Sequence, residues 1–232
     1  MTAAARALPC VLAACACAAG HAAEWAELPL PPRSQPEMVL RDGRVNGLAT
    51  NIQRFTTELG APEVLQFYRQ RWTRPNQPEP RTVQKGAWAA LSTLDGNRQV
   101  TVQVRPDGTG AEALLTQMDI DRAQRDFVPR ELPRPYGVQV TQVTESQDGG
   151  QRSRLVSMVS DEGFEMQVQR WRQAWERQGW TPGQEREQQR PNGGRLWLAT
   201  FARNSASADQ VLTYEPRQRR SFTTVNLLDT PR

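Results

Sequence analysis

Phe67-Tyr68-Arg69-Gln70-Arg71-Trp72 returns 103 residues later as Arg170-Trp171-Arg172-Gln173-Ala174-Trp175, and the reading of this pair decides the fold. Around it, Ala61, Leu65, Tyr68 and Trp72 align with Phe164, Val168, Trp171 and Trp175, both sets at i, i+4, i+7 and i+11. That spacing places each quartet on one face of a helix. Pro62 suits the first turn of the first helix, where a missing N–H costs little, and Gly179 ends the second.

Moving outward, Glu27-Leu28-Pro29-Leu30-Pro31 recurs as Glu131-Leu132-Pro133-Arg134-Pro135 at an offset of 104. Gln117-Met118-Asp119 closes the first copy as Leu227-Leu228-Asp229 closes the second, at an offset of 110, so the growth is absorbed in loops. The chain divides into a leader, 1–23, and two related units, 24–127 and 128–232, each of ordinary domain size and each opening on a Pro-rich segment.

Each unit repeats the same elements. Residues 38–41 and 49–57 read as an opening hairpin with Asp42-Gly43 and Asn46-Gly47 as turn residues; residues 138–143 and 155–160 read likewise around Gln147-Asp148-Gly149-Gly150. After each helix come three strands, 88–94, 99–104 and 111–118 in the first copy and 195–202, 210–214 and 221–228 in the second. Val100, Val102 and Val104 alternate with Thr101 and Gln103, as a sheet with one buried and one wet face requires. The expected fold class is α+β: two tandem duplicated units, each an antiparallel sheet of a hairpin plus a three-stranded meander, with one helix on a face. The Pro-rich segments 28–36 and 128–135 read as extended spacers, and the low-complexity run 184–189 as a mobile connection.

This order of Pro-containing leader, strand, helix and glycine-turn meander resembles a small module of exported bacterial proteins whose helix reads fYr with GW after it. Phe67-Tyr68-Arg69 carries the helix motif in the first copy and Gly179-Trp180 the GW in the second, while the first copy has Trp72-Thr73-Arg74-Pro75 in place of the GW. The resemblance spans nearly the whole chain after the leader. It implies the fold and an envelope location, and it supplies no catalytic residue.

Residues 1–23 carry Arg6, an apolar stretch from Ala7 to Ala19, and small residues before Glu24, the pattern of a secretory signal peptide cleaved after Ala22 or Ala23. Leu12-Ala13-Ala14-Cys15 also fits a lipobox, in which Cys15 is lipidated and becomes the first residue of a membrane-anchored protein. The location expected is periplasmic or secreted, with a lipid-anchored envelope protein as the alternative. Cys10, Cys15, Cys17 and the single histidine, His21, all fall in this leader. Cleavage after it leaves neither residue type, which excludes disulfides, thiol nucleophiles, Cys or His zinc sites and Ser-His catalysis.

Carboxylate chemistry and a Ser-Lys pair through the one lysine, Lys85, remain. Asp119 and Asp121 would share one side of a strand as an acid or metal pair, set against an exposed strand end; Glu185 and Glu187 read as a solvated loop. Lys plus Arg is 29 against 25 Asp plus Glu, a small and dispersed excess that argues against nucleic acid. Mean hydropathy is −0.68 and no run of apolar residues is long enough for a membrane-spanning helix. The aromatic stripes on the helices read as core. Trp180 and Trp197 are the candidate interface residues, because Trp197 alternates with Leu196 and Leu198 and one large apolar side chain must face away from the core.

The resulting expectation is a non-catalytic periplasmic interaction or accessory protein of an envelope assembly, such as a secretion or pilus-type system, with an envelope protein as partner and no cofactor or metal. A small-ligand or glycan-binding protein with its site between the units is the first alternative, and a carboxylate-dependent hydrolase the second.

Overall fold

Side-chain burial alternates along the strands as the sequence pattern requires: every second residue of the segment from Ala111 to Asp119 is buried, and the same holds from Arg154 to Ser160. The computed structural model of the protein describes residues 25–76, 78–191 and 193–229; the leader, with its cysteines and His21, lies outside the described residues. The first half contains β1 (Gln35–Val45), β2 (Leu48–Thr57), α1 (Ala61–Trp72), β3 (Arg81–Lys85), β4 (Trp88–Asp95), β5 (Arg98–Asp107) and β6 (Gly110–Asp119). The second contains β7 (Gln139–Asp148), β8 (Gln151–Ser160), α2 (Phe164–Arg177), β9 (Thr181–Gln189), β10 (Arg195–Arg203), β11 (Ala206–Glu215) and β12 (Arg220–Asp229).

These strands form one antiparallel sheet in the order β3-β4-β5-β6-β2-β1-β7-β8-β12-β11-β10-β9. The expectation of an α+β fold of two tandem units is thereby corrected: the structure is mostly a single twelve-stranded sheet, 55% strand and 13% helix. The join is made by β1 and β7, paired antiparallel at Arg44–Glu145 and Val45–Thr144. Asn46 reinforces it, its N–H donating to the Val143 carbonyl and its carboxamide oxygen accepting from the Val143 N–H, both at 2.8 Å. In an isolated unit either strand would be an open edge with unpaired backbone groups; the join pairs the ends of β1 and β7 that meet at Arg44–Asn46 and Val143–Glu145. Gly47 turns β1 into β2 with φ +79°, and a Cβ there would lie 2.2 Å from the Gln124 carbonyl, so the segment linking the halves passes against bare backbone.

Each half also holds a sixth strand that hydrophobic patterning does not reveal. β9 takes in the run 184–189 expected to be a mobile connection, and every one of its residues is exposed, as are those of β3. An edge strand of polar residues has no apolar alternation to announce it. Besides their backbone pairing to β4 and β10, both edges are tied to the helices by the repeated arginine of the helix motif: Arg69 Nη2 donates to Thr82 Oγ1 of β3 at 2.6 Å, and Arg172 donates to Glu185 of β9 through Nε at 2.9 Å and Nη2 at 2.6 Å.

Both helices lie on one side of the sheet, α1 over β4–β6 and α2 over β9–β11. The register row Leu48–Val45–Thr144–Leu155 crosses the join on the opposite side. Under α1 the core gathers Phe55, Val64, Tyr68, Trp72, Leu91 and Val102. Under α2 it is richer in tryptophan: Trp175 stacks on Phe201 at 4.5 Å, meets Trp180 edge-on at 5.0 Å, and donates its Nε1 to Gln210 Oε1 at 2.6 Å. Gly179, at φ +74°, ends α2 as its sequence position requires.

Candidate functional site

The first Pro-rich segment is a strap across the helix-bearing side of the sheet, not a spacer. Leu28 and Leu30 pack against the first core and Pro31 is buried. Its backbone is tied down by side chains: Gln117 Nε2 donates to the Ala26 carbonyl at 2.9 Å, and Thr57 Oγ1 to the Pro32 carbonyl at 3.1 Å. At its start the Trp25 indole N–H donates to Asp42 at 2.7 Å. The second segment is likewise packed, with Leu132 only 2% exposed in the second core.

Between the strap and the sheet lies a cleft of about 670 Å³. Its floor is Asn51 and Gln53 of β2 with Leu115 and Gln117 of β6; Met38 of β1 flanks it, and the strap from Trp25 to Leu30 covers it. Two pairings in the sheet fix the floor: Asn51 sits opposite Gln117, and Gln53 opposite Leu115. Because the Ala26 carbonyl can only accept, the Gln117 amide nitrogen must face it and the oxygen turns away. That oxygen, Oε1, and Asn51 Oδ1 are buried without a hydrogen-bond partner among the described residues.

The same place in the second half is filled. There Arg154 sits opposite Leu227, and Val156 opposite Val225, so that Arg154, Val156 and Leu227 stand where the first half has Asn51, Gln53 and Gln117. Val156 and Leu227 are core residues, and Arg154 is neutralised by ion pairs to Glu131 and, at 2.6 Å, to Asp229. Three carboxamides in one half thus replace two aliphatics and a paired arginine in the other.

The residues singled out by sequence are dispersed. Trp180 and Trp197 are 3% and 0% exposed and belong to the second core; the alternation is resolved with Trp197 under α2, so that Leu196 and Leu198 face the bare side. Asp119 and Asp121 do not share a strand face, since β6 ends at Asp119. Asp119 instead caps the turn that follows, its Oδ1 accepting from the Asp121 N–H at 3.1 Å and from Asn97 Nδ2 at 3.2 Å. Lys85 is exposed at the end of β3, and Cys15 lies outside the described residues. Among the described residues no group of three His, Cys, Asp or Glu side chains is placed to hold a metal ion, and no helix is long and apolar enough to cross a membrane.

Glu185, which sequence patterning left in a loop, is the best-connected carboxylate at the α2–β9 contact. Burial works to raise its pKa, but hydrogen bonds from Arg172 and from Trp197 Nε1, with the charge of Arg172, outweigh it and hold the carboxyl below its ordinary value. Tyr68, its hydroxyl buried in the first core without a partner among the described residues, is pushed the other way by desolvation. The cleft residues were also missed as a group. Their signal was present in the repeat itself, where inward-facing Gln117 aligns with Leu227.

The bare side of the sheet also differs between halves, the first exposing Val83 and Leu94 near its outer edge beside a charged row. In the first half Arg105, Glu112, Arg54 and Glu37 form a row of alternating charge, with Arg105 Nε donating to Glu112 at 2.8 Å and Arg54 Nη2 to Glu37 at 2.6 Å. In the second, Leu155, Val211 and Phe222 are 42%, 38% and 39% exposed, with Leu196 and Leu198 half-buried beside them. No family model, no curated protein and no solved structure matches this chain.

Proposed function

We propose that the protein is a non-catalytic interaction protein of the cell envelope, an accessory of an assembly such as a secretion or pilus-type system, and that it docks one envelope protein on the bare side of its second half. The observation that carries this reading is the exposure of Leu155, Val211 and Phe222 on three strands, β8, β11 and β12, that lie side by side. Aliphatic and aromatic side chains grouped on one side of a sheet favour association, because covering them removes apolar surface from water. The row of paired charges on the first half opposes association there, since a partner would have to desolvate it. The partner this surface fits is a protein face of aliphatic side chains and hydroxyls with few charges, to match Thr213, Thr224 and Ser157 between the apolar positions.

The test is a photo-crosslinking amino acid at Val211 in intact cells producing the full chain. One crosslinked envelope protein is expected, lost when Leu155→Glu and Phe222→Glu are combined and retained with Thr116→Glu on the bare side of the first half. A crosslink that survives the double change, or none above background, overturns the reading.

A further inference from the structure

We propose a second, separate function for the first half: the cleft beneath the strap is a binding site for a small neutral saccharide, with the strap as its lid. The proposal does not depend on partner docking, which uses the other side of the sheet and the other half of the chain.

Three observations converge on it. First, the cleft is of the size of small-molecule sites, about 300–1,000 Å³. Second, Gln117 is 6% exposed and among the described residues its Oε1 has no partner, and neither has the buried Oδ1 of Asn51 opposite it. A buried acceptor left unpaired is costly, and a ligand that brings O–H donors under the strap removes that cost twice. Third, the duplicate fills the same place with Val156, Leu227 and a neutralised Arg154, so the fold does not itself require carboxamides there.

The chemistry of the lining selects the ligand class. Asn51, Gln53 and Gln117 are carboxamides, each offering a donor and an acceptor, which is what vicinal hydroxyls need. Among the described residues no arginine or lysine lines the cleft and Glu27 on the strap is the one acidic residue, so neither an anion nor a strongly cationic ligand is matched. Leu28, Pro29 and Met38 supply apolar surface for the C–H face of a ring. A peptide fits poorly. The floor strands, β2 and β6, each have a neighbour on both sides and offer no free edge to extend, and Pro29 and Pro31 of the strap have no N–H to give.

The strap is suited to move. Its far end is anchored by Leu28, Leu30 and Pro31 and by the Thr57–Pro32 hydrogen bond, whereas over the cleft it is held by the hydrogen bonds from Gln117 to Ala26 and from Trp25 to Asp42, so it would lift from the Trp25 end. Entry of a sugar would exchange the Gln117–Ala26 bond for bonds to ligand hydroxyls and pair both orphaned oxygens.

The experiment is isothermal titration of the full chain with glucose, N-acetylglucosamine, cellobiose and maltose, and with a neutral triserine peptide as the competing class. At least one sugar should bind saturably, about tenfold more weakly to Gln117→Leu and to Asn51→Leu. Urea unfolding and circular dichroism confirm that each variant folds, and Leu155→Glu combined with Phe222→Glu should leave the sugar isotherm unchanged while abolishing docking. Absence of binding by all four sugars, equal binding by Gln117→Leu, or binding of the peptide alone overturns the proposal.

Discussion

Exchanging Gln117 for leucine and Leu227 for glutamine places each half's residue in the other's setting. Gln117→Leu removes a buried oxygen that has no partner, a relief of about 1–3 kcal/mol, and forfeits one hydrogen bond worth about 1 kcal/mol to the Ala26 carbonyl. Ala26 is exposed, so water takes over that carbonyl. The variant should be more stable than the parent by about 0–2 kcal/mol. Leu227→Gln runs the other way. A leucine that is 1% exposed is lost, costing about 2 kcal/mol of burial, and a carboxamide enters a packed core for about 1–3 kcal/mol more. Equilibrium urea unfolding with unchanged denaturant slope measures both. If Gln117→Leu proves less stable by more than about 1 kcal/mol, the orphaned oxygen is not the liability claimed. If Leu227→Gln is neutral, the second half is not filled as described.

Trp175→Ala should cost about 3–5 kcal/mol in the same unfolding assay, since it removes the stack on Phe201 and leaves the Gln210 carboxamide oxygen unpaired. Gly47→Ala should lower the thermal midpoint, with a cost of about 1–3 kcal/mol, because it adds a Cβ at positive φ against the Gln124 carbonyl. The Glu185 carboxyl lies below its ordinary value of 4.5, so its contribution is complete above that pH and is lost as pH falls through the depressed folded value. Glu185→Gln should therefore show a shallower loss of stability on the acid side than the parent, read from urea midpoints at successive pH values.

The helices, the opening hairpins and the three-stranded meanders were legible because each carries a periodic apolar face: Tyr68 and Trp72 at helical spacing, and Val100, Val102 and Val104 at strand spacing. β3 and β9 were not, since residues such as Gln84 and Gln188 gain their strand conformation from a neighbour's backbone and leave no trace in hydropathy. The union of the halves was hidden for the same reason, as Arg44 and Glu145 pair through backbone groups that every residue possesses. The strap was misread because proline favours extended chain whether that chain is solvated or packed; Leu28 and Leu132 decide the matter only once a sheet surface is there to receive them. The cleft was illegible from composition, since Asn51 and Gln117 look like ordinary polar strand residues until the register sets them opposite each other beneath Ala26.

Pairing β1 with β7 gives the chain the form that two copies of one unit would take about a two-fold axis, yet the copies are covalently one. A true homodimer must accept every substitution twice, so a residue that opens a hollow on one side opens it on the other and doubles the loss of stability. A fused pair is free of that rule. The tryptophan-rich second half can supply rigidity for the whole sheet while the first tolerates the destabilising carboxamides of its hollow, a specialisation that identical subunits cannot reach.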